Sequence, residues 1–407
     1  MKRHYDRLET RSADERAAAT AAILPAVIER ALQAPAYAGS LAGIEPADIR
    51  SVEDLSALPI LRKSEISAMQ AETPPLGGLA PGGAGGFDWI FQSPGPIYEP
   101  GLAFGDWWRV GRFLFACGIG KGDIVQNCLS YHLTPAGLMF ETGARAVGAT
   151  TVPAGPGQTE LQARAAAAIG VTAYAGTPDY LKVVLDRADE LGLDLSRLVK
   201  AAVGGGALFP SLRAEYKARG IHCLQCYATA ELGNIAYETI PDAGLIVDEG
   251  VIVEIVTPGT GDAVGDGRVG EVVVTLLNDD YPLIRFATGD LSALLPGVSE
   301  CGRTNMRLAG WKGRADQTTK VKGMFVRPEQ VADFVRRHAA VTRARIIVSR
   351  EGEMDQMVLQ VEPEAQDLPA LEASAAEIFK LKSRVTANAH GALPDDGKVI
   401  EDLRSYD

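Results

Sequence analysis

From about residue 104 onward the chain alternates between apolar residues at helical spacing and short continuous apolar runs of strand length. FGDWWRVGRFLFACG predicts a helix before the strand DIVQNCLS, and PAGLMFETGARAVG predicts a helix before ATTVP. The unit repeats through LQARAAAAIG, VTAYAG, PDYLKVVLDRADELG and LVKAAVGGG. Strands joined through helices pair in parallel, so this segment predicts stacked βα units on a largely parallel sheet. Upstream, residues 12–34 carry Ala and Leu at helical spacing behind Ser12 and Asp14, which predicts an N-terminal helix.

After Tyr227 the pattern changes to short strands with turns: GVIVEIV, GEVVVTLL and PLIRFATGD. These predict an antiparallel sheet or distorted barrel beside the first sheet. The last stretch reads as separate. KVKGMFV predicts a strand, Pro328 opens a helix where its missing N–H costs nothing, and RARIIVS, MVLQVEP and RVTANAH supply further strands around a second helix. The fold class is therefore α/β: a large N-terminal layered α/β domain, mostly parallel sheet with a small antiparallel sheet or distorted barrel, then a small α+β C-terminal domain. The division expected is 1–314 and 315–407. A length of 407 residues fits one large core and one small one.

Composition narrows the classes. Apolar residues are 46% and charged residues 23%, within the range of a folded globular protein. The 40 basic and 52 acidic residues give a net charge of −12, and the cations are scattered, so no nucleic-acid partner is expected. The opening MKRHYDRLETRSADER lacks the apolar centre of a signal peptide, and no run reaches the roughly 20 apolar residues that cross a bilayer, so neither a membrane partner nor export is expected. Both point to the cytoplasm. Five cysteines, among them the pair Cys223 and Cys226, are an odd number spread widely and read as reduced thiols rather than a disulfide framework or zinc ribbon. GGLAPGGAGG at 77–86 reads as a connecting loop.

Four segments carry candidate chemistry. Gly310 to Val331, GWKGRADQTTKVKGMFVRPEQV, orders Gly-Arg-x-Asp, Lys-x-Lys-Gly and Val-x-Pro-x-x-Val. Thr288-Gly289-Asp290 puts a carboxylate after a strand; its two oxygens can accept both hydroxyls of a ribose, although a plain Gly-Asp turn has the same spelling. Tyr227-Ala228-Thr229-Ala230-Glu231 follows a strand and ends in a carboxylate, and magnesium needs one or two carboxylates beside phosphate oxygens and water. Gly204-Gly205-Gly206-Ala207 follows an apolar strand, where missing Cβ atoms let backbone approach a planar ligand; a simple turn is the alternative.

Taken in order, these segments resemble the hinge, the TGD motif, the YGxTE element and the small-residue loop of the adenylate-forming superfamily of acyl-CoA synthetases. YDRLETRSADER with ALPILRKSEI, GTPDYL at Gly176 to Leu181, and CGRTNMRLAGWKGRADQ are similar to the phenylacetate-CoA ligase branch in particular, and the likeness covers nearly the whole chain. Two departures stand out. In place of a SSGTTGKP-like phosphate loop the chain has FQSPGPIYEPG at 91–101; Ser93 and Gly95 could still present a hydroxyl and an N–H, while Pro94 and Pro96 remove two donors. The elements that hold a structural zinc in many members become Glu238-Thr239, Gly244-Leu245-Ile246 and Ser299-Glu300-Cys301, so no zinc is expected: one thiolate cannot close a tetrahedral site.

The resemblance implies a carboxylate–CoA ligase using ATP, Mg2+ and coenzyme A. It implies nucleotide contacts at Ser93, Gly95, Gly205, Gly206, Ala207, Tyr227, Ala228, Thr229, Asp290 and Arg314, and magnesium at Glu231. Lys398, in PDDGKVIEDLR, matches the lysine that bridges carboxylate and phosphate; its spacing is short, and an exposed tail lysine is the alternative. A turn of the small domain about Asp316 would then bring Lys320, Lys322 and Gly323 to coenzyme A. Tyr131, Phe140 and Tyr174 are candidates for the wall of an acyl pocket that suits an aryl or arylacetic acid, with core packing as the other explanation and a short or branched aliphatic acid as the other substrate. The remaining readings are an adenylating enzyme that delivers to an amine or a carrier protein, and a non-catalytic protein whose phosphate loop has decayed. A homodimer is the base-rate expectation.

Overall fold

A computed structural model describes residues 3–93, 97–265, 267–315, 317, 319–321, 324–351, 354–362 and 367–404. Gly95, Asp316, Lys322 and Gly323 lie outside them. The chain divides into two compact units: residues 1–253, 274–286 and 295–310 form the first, and 254–273, 287–294 and 311–407 the second.

In the first unit five parallel strands lie in the order His222–Thr229, Lys200–Val203, Ala173–Gly176, Ile124–Asn127, Thr150–Pro153. Helices Ala136–Ala146, Thr159–Ile169, Pro178–Glu190 and Pro210–Ala218 supply the crossovers. The strand Ala173–Gly176 reads as a continuous apolar run because both its faces are covered: Ala173 and Ala175 pack with Phe113 and Phe140, whereas Tyr174 points the other way among Leu181, Leu198 and Tyr216. Burying one such ring contributes about 2–3 kcal/mol. Gly233–Tyr237, Leu245–Val247 and Arg307–Leu308 continue the same sheet antiparallel, so part of the chain after Tyr227 extends the first sheet. Val251–Val256, Gly270–Leu276 and Phe286–Ser292 belong with Leu61–Arg62 to a separate four-stranded sheet.

The N-terminal helix spans Ala13–Leu32, and Ser12 and Glu15 bond each other's backbone N–H at 3.1 and 2.7 Å. Its buried residues Leu24, Val27, Ile28 and Ala31 fall on one face. The helix expected over 104–118 is shorter, Val110–Ala116. Asp106 accepts from the N–H groups of Val110 and Gly111 at 2.9 and 2.7 Å, and Arg109 turns left-handed at φ 62°, so the chain enters the helix only at Val110.

In the second unit, helices Pro328–Arg337 and Leu368–Phe379 contribute to a core with a sheet in the order Arg384–Ala387, Met354–Glu362, Arg343–Glu351, Ile400–Asp402. KVKGMFV, read as one strand, is two: Thr319–Val321 pairs antiparallel with Met324–Val326, Val321 opposite Met324. Apolar alternation alone does not reveal where one strand ends and its antiparallel partner begins. Among the described residues no helix is long and apolar enough to cross a membrane.

Candidate active site

In a parallel sheet, ligands bind beyond the carboxyl ends of the strands, and in the first unit most of the candidate segments leave from that edge. Asn127 ends its strand and donates to the Tyr131 hydroxyl and the Gly137 carbonyl, each at 2.8 Å. Burial, then the neighbouring Glu141, pushes the Tyr131 phenol up, so it stays neutral. Gly204 donates to the Gly176 carbonyl at 3.1 Å and opens the loop through Gly205, Gly206 and Ala207, the last three exposed. Gly205 sits at φ 69°, a conformation that disfavours a side chain. A Cβ at Gly204 would come within 2.8 Å of the Cys226 sulfur and 3.8 Å of the Phe140 ring. Phe140 thus reaches this loop from the helix Ala136–Ala146, edge-on to Phe113. Tyr174 is set apart from it. It is wholly buried in the core of the opposite face and donates to the Thr177 carbonyl at 3.0 Å.

Tyr227, Ala228 and Thr229 are half-buried at the end of their strand, and the Thr229 hydroxyl accepts from the Leu232 N–H at 3.2 Å. Glu231 is 3% exposed. Lys63, at the start of the helix Lys63–Glu72, forms an ion pair with it, Nζ 2.7 Å from Oε1, and among the described residues nothing donates to Oε2. A buried carboxylate with one oxygen on an ammonium and the other without a donor among the described residues fits a hard cation that takes its other ligands from phosphate and water, so Glu231 is suited to hold magnesium.

The phosphate-loop candidate is a hairpin, Trp89–Ser93 antiparallel to Ile97–Gly101. Ser93 is buried and its hydroxyl lies 2.5 Å from Oε1 of Glu99, which is fully buried. Burial, reinforced by the Glu231 charge and opposed by the Ser93 hydrogen bond and Lys63, pushes the Glu99 carboxyl up to about 8. The Ser93 hydroxyl is thus already occupied. Lys63 and Glu99 were not singled out by sequence, although both lie inside segments quoted above for other reasons.

In the second unit the ribose candidate is tightly built. Asp290 lies on the strand Phe286–Ser292, and its Oδ1 accepts from Arg314 Nη1 at 2.9 Å and from Trp311 Nε1 at 3.0 Å. Backbone bonds join the two segments: Lys312 N–H to Leu291 carbonyl at 2.8 Å, Leu291 N–H to Gly313 carbonyl at 2.9 Å, Ala315 N–H to Gly289 carbonyl at 2.7 Å. Gly289 sits at φ 74°, and a Cβ there would lie 2.8 Å from Arg314 Nη2, so the motif's glycine makes room for the guanidinium. The tail is anchored nearby. A Cβ at Gly397 would lie 2.8 Å from Val269 and 3.3 Å from Leu291, and Oε1 of Gln317 accepts from Val399 and Ile400 N–H at 2.6 and 2.7 Å. Lys398 is exposed in this tail and lines a cavity of about 340 Å³ with Arg268, Arg343 and Arg345. Lys320 lies on the strand Thr319–Val321. Trp311 and Gln317 are further site residues that sequence reasoning passed over.

At the segments that match the family's zinc elements by order, Glu238 pairs with Arg213 at 2.7 Å. Ser299 lies 3.1 Å from the Cys301 sulfur; burial pushes the Cys301 thiol up, and the hydrogen bonds of Ser299, Thr239 and Arg303 together bring it below its usual value. Among the described residues no three His, Cys, Asp or Glu side chains gather as a metal-holding group. All five cysteines are unbridged, and Cys223 and Cys226 share the strand His222–Thr229.

A family model described as AMP-binding enzyme matches residues 108–276. The phenylacetate-coenzyme A ligase of Aromatoleum evansii is 30% identical over 341 residues, 79% of this chain and 76% of that protein. The protein of the same name from Escherichia coli strain K12 is 27% identical over 404 residues, 93% and 90% of the two chains. A crystal structure of an open conformation of 2-hydroxyisobutyryl-CoA ligase with 2-HIB-AMP and CoA superposes with a TM-score of 0.72 at 22% identity, covering 97% of this chain and 92% of that one, which shows a shared fold. On the identity and coverage of its relatives, the chain belongs to the phenylacetate-coenzyme A ligase family of adenylate-forming enzymes.

Proposed function

We propose that this protein is an acid-thiol ligase that joins a carboxylic acid to coenzyme A through an acyl-adenylate made from ATP, and that the acid is an aryl or arylacetic acid. Family membership supports the reaction, and the observation that carries the nucleotide assignment is the Asp290 carboxylate held on one oxygen by Arg314 and Trp311. Phenylacetate-coenzyme A ligases among the relatives support the aryl substrate, as does Phe140 beside the glycine loop.

In the first half-reaction a carboxylate oxygen attacks the α-phosphorus and pyrophosphate leaves. Asp290 would accept the ribose hydroxyls, with Arg314 orienting it; Gly205, Gly206 and Ala207 would lie against the adenine and acyl groups beside Tyr227 to Thr229. Lys398 would stabilise the negative charge that builds between carboxylate and phosphate, by electrostatics and positioning rather than by a covalent bond. Glu231 would hold magnesium, which when bound offsets the charge of the phosphates. In the second half-reaction the coenzyme A sulfur attacks the acyl carbonyl and AMP leaves. We place the division between a large domain, 1–314, and a small one, 315–407, whose rotation about Asp316 exchanges Lys398 for the segment holding Lys320, Lys322 and Gly323.

The test is a panel of aromatic and aliphatic acids assayed for ATP-dependent pyrophosphate release and then for thioester formation, with wild type and Lys398→Ala. Arylacetic acids should turn over fastest, and Lys398→Ala should lose adenylation by at least about 100-fold while still forming thioester from supplied acyl-adenylate. Equal loss of both half-reactions would remove Lys398 from its role. Acyl transfer to an amine or a carrier protein, with none to coenzyme A, would overturn the acceptor.

A further inference from the structure

Trp311 presents a contradiction that a bound ligand would resolve. It is 60% exposed, yet it is held firmly. Its Nε1 donates to Asp290 Oδ1 at 3.0 Å, and the next two residues, Lys312 and Gly313, bond both sides of Leu291 through their backbone. Fixing an indole costs side-chain entropy, and burial of the ring normally offsets that cost. Here most of the ring remains in water. The other three tryptophans behave differently: Trp108 packs within 6.2 Å of Trp89 and 5.2 Å of Trp107, in the first unit.

We propose that Trp311 is an adenosine-contacting residue, its ring covering the ribose and adenine of the nucleotide whose hydroxyls Asp290 accepts. This inference rests on the nucleotide reading above and deepens it, giving a ligand contact to a residue of the hinge segment that is not one of its Gly-Arg-x-Asp positions. A carboxylate that takes an indole N–H and a ribose hydroxyl puts the sugar within two hydrogen-bond lengths, about 6 Å, of the pyrrole edge of the ring. At that distance the apolar face of the indole can lie against the C–H face of the ribose and the base, a contact that every adenine nucleotide in the reaction shares. The N–H sets the ring's direction and the face supplies the contact, so the two contributions can be separated by substitution.

The experiment titrates AMP with magnesium into wild type, Trp311→Phe and Trp311→Ala, following heat by calorimetry and tryptophan emission in parallel. Wild type should bind AMP with a change in emission that saturates with the heat. Trp311→Phe keeps a ring without the N–H; it should lose most of the emission change and bind a few-fold more weakly. Trp311→Ala should raise the AMP dissociation constant roughly tenfold, in line with loss of one base–aromatic contact. The KM for ATP should rise more than kcat falls, because binding shared by all nucleotide states is lost. Two results overturn the inference and leave nucleotide binding standing: wild type that binds AMP without an emission change while Trp311→Ala binds within twofold of it, or emission that follows protein concentration instead of AMP, which would put a second copy of the chain on the ring. Wild type that takes up no AMP by calorimetry overturns the nucleotide reading itself. Because the emission change is read in the unaltered protein, the inference can be judged even if the alanine variant folds poorly.

Discussion

The two regions assigned to the nucleotide solve the problem of a buried carboxylate in opposite ways. Around Asp290 the negative charge is matched: one oxygen takes a guanidinium and an indole N–H, and three backbone bonds hold the donors in place. Around the hairpin Trp89–Ser93 and Ile97–Gly101 it is under-matched. Glu231 and Glu99 are both buried; the half-buried Lys63 meets Oε1 of Glu231 and the Ser93 hydroxyl meets Oε1 of Glu99, while among the described residues nothing donates to Oε2 of either. A charge-matched carboxylate is a finished binding element. An under-matched one holds its place against a desolvation penalty and gains most when a cation arrives.

The comparison can be broken at its unmatched side first. Glu231→Gln keeps the shape and removes the charge, and pyrophosphate release should fall by roughly 100- to 1,000-fold, as when a preorganised electrostatic group is lost. A drop of less than about threefold would mean that the buried carboxylate does not serve the phosphates. On the matched side, Gly289→Ala forces a Cβ into Arg314 Nη2 at a left-handed φ. It should cost about 1–3 kcal/mol of stability in chemical denaturation and raise the KM for ATP. An unchanged midpoint with an unchanged KM would show that the tight packing of the motif is incidental.

The smallest effect sharpens the comparison by pH. In the folded protein the Glu99 carboxyl is raised from 4.5 to about 8, so the native state holds this proton more tightly than the unfolded chain. The stability it contributes is complete below about pH 4.5, falls as pH rises, and is gone above about 8. Measured without nucleotide or metal, the stability difference between wild type and Glu99→Gln should decline across that window by no more than about 1.4 kcal/mol per pH unit. A flat difference would mean that Glu99 is ionised in the fold at neutral pH and that the hairpin carries a full negative charge toward the phosphates.

How much of this was readable in advance follows the range of the interactions. The strands Ala173–Gly176 and Lys200–Val203 and their crossover helices were legible because parallel strands covered on both faces must be short apolar runs. Thr288-Gly289-Asp290 and Gly313-Arg314 could be singled out because the family resemblance rests on particular residues in a fixed local order, and the structure brings Asp290 and Arg314 within 2.9 Å. Lys63 beside Glu231 was not, since the pair joins segments far apart in the chain and a lysine at a helix start reads as surface charge. Tyr174 was offered for the acyl pocket from its position on a strand, but which face it occupies depends on strand register, and it lies in the opposite core. Residues 104–109 carry helical spacing and are not helical, because the Asp106 carboxylate caps the helix further on.

The sequence by itself determined the α/β class, the order of the segments and the identity of the family, since periodicity and short motifs are local properties. Tertiary structure alone decided which carboxylates are compensated and which are not, and that a tryptophan two residues before Gly313 would be tethered to Asp290 with its face left open. The reason is physical: compensation of a buried charge depends on which donors come within about 3 Å, and that is set by packing between segments that no linear pattern relates.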